Sequence, residues 1–119
     1  MSYDNENIFA KILRGEIPNN TIYEDEHNLA FYDITPARKV HGLIIPKGAF
    51  KDYTDFVENA TPEQMVSFNK AVVKTAEKLG IKDTGYRIIS NIGEHGQQEV
   101  PHLHFHILGG EKIGSLVSK

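Results

Sequence analysis

The stretch PHLHFHILGG, residues 101–110, sets three of the chain's six histidines at alternate positions and then closes on a glycine pair. On a strand, successive side chains point to opposite faces. His102, His104 and His106 then share one face, and Leu103, Phe105 and Ile107 the other. On a helix the same residues would spread around most of the circumference, and their aromatic and β-branched content gives no reason to prefer that. The spacing therefore predicts a strand over 102–108, its apolar face on a core and its histidines on a surface or cleft.

Working outward, residues 92–100, IGEHGQQEV, form a polar loop with two glycines, and 86–91, YRIISN, is a strand candidate. The clearest element is a helix over 62–79. Thr61 can cap it, Pro62 sits at its first position, and Gln64 completes a capping-box pattern. Met65, Phe68, Val72, Ala76 and Leu79 form its apolar stripe, and Gly80 is its stop. Residues 50–57 suggest a shorter helical turn. Residues 41–46, HGLIIP, are another strand candidate, and 21–24 and 29–32 form a hairpin across Asp25-Glu26-His27-Asn28. Ile8, Ile12 and Phe9, Leu13 recur at i, i+4 over 8–14, a short helix ended by Gly15. Connections too short for parallel crossovers make the fold class α+β: an antiparallel five-stranded sheet with one long helix and a short N-terminal helix.

With 119 residues, no repeat and no linker, the chain is expected to be a single domain over 1–119, with a tail over 111–119. A net charge of −3 without a basic cluster argues against nucleic acid as a partner. Absent cysteine excludes disulfides, thiolate metal sites and a thiol nucleophile. The opening MSYDNENIF lacks the pattern of a signal peptide, and no apolar run reaches membrane-spanning length. The expected location is the cytoplasm, with no membrane partner.

Three readings of the histidine run compete. They could be structural, although neighbouring imidazoles repel when charged. They could bind a metal, but the outer pair lies ~13 Å apart at Cα, so one ion would need His41 or a carboxylate such as Glu94 or Glu99. Third, a neutral imidazole is a nucleophile near pH 7, and attack on phosphorus would give a phospho-imidazole that water can cleave. Gly93 and Gly96 would let backbone amides of the loop turn toward an anion, with Gln97 and Gln98 as further donors.

HLHFHIL resembles the histidine-triad motif, and the chain resembles the Hint branch of that superfamily. IFAKILRGEIP, AFYDITPARKVHGLIIPK and GQQEVPHLHFHILGG are similar to Hint segments in order and spacing, so the resemblance covers about 8–114. It implies that fold, a purine nucleotide as substrate, and hydrolysis of nucleoside 5′-phosphoramidates without a cofactor or metal. It implies His104 as the nucleophile, His106 as donor to phosphate oxygens, and His102 with His41 as a relay behind His104. Asn91 and the loop residues Gln97, Gln98 and Glu99 would hold the phosphate, Val100 would belong to the nucleotide-binding set, and Asp33 would hold the ribose. Ile8, Phe9, Ile12, Phe31 and Ile34 would line the purine slot. A homodimer, with the sheet extended across it, is implied as well. Each residue also has a plainer reading: Asp33 as a turn residue, the apolar set as core, His41 and Asn91 as strand ends, and His27 and His95 as exposed loop residues.

Two departures touch selectivity. Many relatives of this kind carry serine where this chain has Glu99, and the tail EKIGSLVSK lacks the tryptophan found in some endings. The alternatives are a dinucleoside polyphosphate hydrolase or nucleotidyltransferase of the same superfamily, and a regulatory module that binds nucleotide without chemistry.

Overall fold

A computed structural model describes residues 2–117; Met1, Ser118 and Lys119, which fall within the expected domain and tail, lie outside the described residues. The chain runs α1 (Ile8–Leu13), β1 (Thr21–Glu24), β2 (Asn28–Tyr32), β3 (Val40–Pro46), α2 (Tyr53–Asn59), α3 (Pro62–Lys78), β4 (Arg87–Ile89) and β5 (Phe105–Gly109). The five strands form one antiparallel sheet in the order β1-β2-β3-β5-β4. Among the described residues no helix is long and apolar enough to cross a membrane.

Local chemistry accounts for the longest helix. The Thr61 hydroxyl accepts from the Gln64 amide at 3.1 Å, and the Gln64 side chain accepts from the Thr61 amide at 2.8 Å. Beyond Leu79, Gly80 takes φ 74°, a conformation that ends helices at little cost only for glycine. Phe68, Ala71, Val72, Thr75 and Ala76 are the buried face. Thr61→Ala leaves an exposed cap unmade, so unfolding free energy is expected to fall by ~1 kcal/mol. Urea titration of the two proteins checks this, with the slope unchanged.

The sheet buries two separate apolar clusters, one on each face. Under α3 lie Ala30, Ile44, Leu103 and Ile107 with Phe56 and Phe68. On the other face α1 brings Phe9 and Ile12 onto Leu29, Phe31, Leu43 and Ile45. The long helix is thus remote from the second face, where β3 and β5 also carry histidines.

The expected strand over 102–108 is shorter at its start, and that over 86–91 shrinks to three residues. β3 and β5 stay paired only as far as Ile44 opposite Phe105. Before that point the Leu103 amide donates to the Phe50 carbonyl at 2.8 Å and the His102 amide to Val100 at 2.8 Å. His102 and His104 therefore precede the strand. The alternation persists nonetheless, with Leu103 and Ile107 buried toward α3 and Phe105 packed on Phe68 at 5.0 Å between ring centroids.

Candidate active site

Register places the histidines. His41 lies opposite Leu108 and Leu43 opposite His106, so His41 and His106 are diagonal neighbours on the α1 side of the sheet. Their rings meet directly, His41 Nε2 lying 2.9 Å from His106 Nδ1. His104 stands edge-on to His106, ring centroids 5.1 Å apart, with Phe9 packed against it at 5.0 Å. His102 is fully buried rather than in a cleft.

Partners fix each tautomer. The Ala37 amide donates to His41 Nδ1 at 2.9 Å, so the His41 proton sits on Nε2 and is donated to His106 Nδ1. His106 then carries its own proton on Nε2. His104 Nδ1 donates to the His102 carbonyl at 2.8 Å, which leaves Nε2 unprotonated. His102 Nε2 donates to the Pro46 carbonyl at 2.9 Å, and its Nδ1 accepts from the Tyr3 hydroxyl at 2.5 Å. Tyr3 in turn accepts from Asn7 Nδ2 at 2.8 Å, while Asn7 Oδ1 caps α1. Burial is the main reason all four rings stay neutral. It pushes His102 and His106 down to about 4, and it lowers His104 and His41 as well. Repulsion between neighbouring imidazoles adds to the effect at His106, and Asp33 opposes it there and at His41.

These groups border a cavity of about 340 Å³ lined by Phe9, Asp33, Leu43, Asn91, Gln97, Glu99, Val100, His104 and His106. His104 Nε2 opens onto it: that atom has no partner among the described residues, and it is not among their sealed, unpartnered polar atoms. Among the described residues no lysine or arginine lines this cavity. A larger groove of about 610 Å³, between the end of α3 and residues 110–113, contains no histidine.

The loop ahead of β5 is tightly built. A Cβ on Gly96 would come within 2.3 Å of the Ile92 carbonyl oxygen, so only glycine fits, and Gln97 follows at φ 58°. Asn91 Nδ2 closes the turn by donating to the Gly96 carbonyl at 2.7 Å. Asp33 accepts from the Thr35 amide at 2.7 Å through Oδ1, while Oδ2 lies 3.4 Å from His41 Nε2.

Several expected placements change. His41 backs His106 rather than His104, because the β3–β5 register sets it diagonal to residue 106. His102 reaches His104 through its carbonyl, not its ring. Gln98 points away from the cavity, donating to the Lys51 and Val100 carbonyls at 2.7 and 2.9 Å and accepting from Gly93. The Gly93, Gln97 and Gln98 amides are consumed within the loop rather than turned outward. Of the five apolar residues expected at the purine slot, Phe9 alone borders the cavity. Ile12 and Phe31 belong to the packed α1 cluster, and Ile8 and Ile34 are 43% and 93% exposed.

Leu43 lines the cavity unforeseen, although the alternation His41, Leu43 along 41–46 carried that signal. Tyr3 gave none. Asp33, His41 and His106 also bring one potential metal-ligand atom each within 4.8 Å of one another. Two nitrogens on one tetrahedral zinc lie ~3.4 Å apart with ~2.1 Å bonds, so the 2.9 Å between the rings fits a direct hydrogen bond better.

Known proteins resemble this chain in sequence and fold. The family model described as HIT domain matches residues 14–113. An uncharacterized 13.2 kDa HIT-like protein of Azospirillum brasilense is 48% identical over 118 residues, covering 99% of this chain and 97% of that one. The purine nucleoside phosphoramidase of Escherichia coli is 42% identical over 114 residues, covering 95% of this chain and 94% of that enzyme. Among solved structures, a HIT family hydrolase from Clostridium thermocellum superposes with a TM-score of 0.83 at 39% identity, covering 97% of this chain and 99% of that one.

Proposed function

Because the chain belongs to the HIT domain family, we propose that it is a hydrolase that cleaves the P–N bond of purine nucleoside 5′-phosphoramidates through a nucleotidyl-histidine intermediate. The observation that carries this reading is His104: a neutral imidazole whose Nδ1–H is held by a carbonyl and whose free Nε2 opens on the cavity. Nε2 bonds to phosphorus as the P–N bond breaks, and the departing amine leaves with a proton. The His102 carbonyl stabilises the positive charge that the phosphorylated ring acquires. His106 donates its Nε2–H to a phosphate oxygen, a hydrogen bond that strengthens as charge builds there. Glu99, on the rim, passes a proton from solvent to the departing amine and takes one from the water that attacks in the second step. Water then cleaves the phospho-imidazole and frees the nucleoside monophosphate and His104. The phosphoramidase named among the relatives supports the choice of substrate.

A homodimer goes with this reading. β4 is an edge strand with Ile88 exposed, and a second copy added there would extend the sheet.

Rapid quench of the protein with an adenosine phosphoramidate, followed by intact-mass measurement, tests the proposal. A transient adduct of one adenylyl group is expected. Turnover without any adduct would sink it.

Asp33 is assigned to the ribose hydroxyls, its carboxylate retaining lone pairs beyond the Thr35 bond. Asp33→Ala is expected to weaken AMP binding about tenfold, the worth of one charge-assisted hydrogen bond, and to leave 2′,3′-dideoxy-AMP within about twofold. Calorimetric titration of the two ligands checks this, and equal losses for both would remove the ribose role.

A further inference from the structure

Residues 33–39 join β2 to β3 without regular structure, yet they carry the amide that sets the His41 tautomer. What holds them comes from the far end of the chain. The Lys39 amide donates to Glu111 Oε2 at 2.6 Å. The Arg38 guanidinium donates to the Ile113 carbonyl through Nη2 at 2.9 Å and Nε at 3.3 Å, and to the Ala37 carbonyl at 2.7 Å. The segment after Gly110 is itself pinned, because Arg87 on β4 donates to the Gly114 and Ser115 carbonyls, each at 3.0 Å.

We propose that this segment is a strap: Glu111 and the Ile113 carbonyl hold residues 37–39 so that the Ala37 amide keeps His106 a proton donor toward the cavity. Glu111 and Arg38 are then positioning residues, acting through Ala37 and His41.

The logic is a count of protons on two rings. With an N–H aimed at its Nδ1, His41 must carry its proton on Nε2 and give it to His106 Nδ1. The one remaining proton of His106 then lies on Nε2. If the amide moves away, His41 is free to carry its proton on Nδ1, and its Nε2 lone pair faces His106. His106 must answer with Nδ1–H, and its Nε2 becomes a lone pair that repels a phosphate oxygen. Asp33 Oδ2, 3.4 Å from His41 Nε2, favours the same tautomer as the amide, so loosening the strap mixes the two forms rather than inverting them.

The strap rests on the catalytic reading above only for its effect on rate, so its test starts without substrate. Nitrogen-15 spectra of the histidine-labelled full chain distinguish protonated from unprotonated ring nitrogens. His41 is expected to show an unprotonated Nδ1 and a protonated Nε2. Glu111→Ala is expected to average the two signals and to lower kcat about tenfold with KM within about twofold, as loss of a transition-state contact does. Arg38→Ala should act in the same direction. Glu111→Gln keeps a carbonyl oxygen for the Lys39 amide and should restore both spectrum and rate. His41 signals unmoved in Glu111→Ala and Arg38→Ala overturn the strap, whatever the rates do, and so does a kcat loss with the tautomer intact. Averaged signals in a chain that forms no nucleotidyl adduct would leave the strap standing and remove the catalytic reading instead.

Discussion

His104→Ala is expected to reduce turnover of an adenosine phosphoramidate by at least ~10⁴-fold, the scale on which loss of a covalent nucleophile acts. Nucleotide affinity should stay within about threefold, since the hydrogen bonds assigned to phosphate and ribose come from other residues. The separation is what makes the result informative. His104 contributes edge contacts to Phe9 and His106 and one hydrogen bond to a backbone carbonyl, none of them part of the strand ladder, so its removal should leave the sheet pairing in place. Stopped-assay kinetics beside calorimetric titration of AMP give the two quantities. A parallel collapse of both would assign the ring to ligand holding or mark a misfolded variant; the regulatory-module alternative instead requires AMP binding that survives the substitution in a protein that never turns over.

Acid should unfold this protein by way of the same histidines. A buried neutral ring whose pKa is depressed in the fold takes up protons only in the unfolded chain, once pH drops below its ordinary value near 6.5. The unfolded state then binds more protons than the native one, so stability rises with pH across the window from about 4 to 6.5. It is level above that window as far as these groups are concerned. His102, fully buried and held down to about 4, contributes on its own a loss of ~2 kcal/mol between pH 6.5 and pH 5. His106, His41 and His104 shift in the same direction and steepen the fall. Guanidinium titrations at half-unit steps from pH 7.5 to 5 measure it above the range where most carboxylates protonate. A level curve over 6.5 to 5 would show that His102 is charged in the folded protein.

The sheet and its long helix were legible because their signals are local. Thr61, Pro62 and Gln64 mark the start of α3, and Gly80 its end, whatever packs against it. The alternation in 102–108 sorted apolar from imidazole side chains correctly even where no ladder forms. What escaped was register and depth. His41 could be matched to the histidine run by count, but whether it backs residue 104 or residue 106 depends on how β3 slides against β5. No residue of either strand announces that offset. Ile12 and Phe31 carry the same apolar signature as Phe9, and only the docking angle of α1 separates the side chain that reaches the cavity from those that fill the core. The Gln98 side chain could not be told from an anion ligand, since the same amide serves to tie its own loop to Lys51. Tyr3 lay 99 residues from its partner in a segment without periodicity.

Among the described residues the cavity wall holds carboxylates and neutral rings but no fixed cation. On the proposed reading, an anion entering it faces the Asp33 and Glu99 carboxylates and is held by short-range dipoles, so encounter gains nothing from long-range attraction and rates should rise modestly with added salt. On the proposed reading the same poverty of charge would favour release: a product monophosphate, more negative than a phosphoramidate, would meet no lysine or arginine among the described residues of the wall.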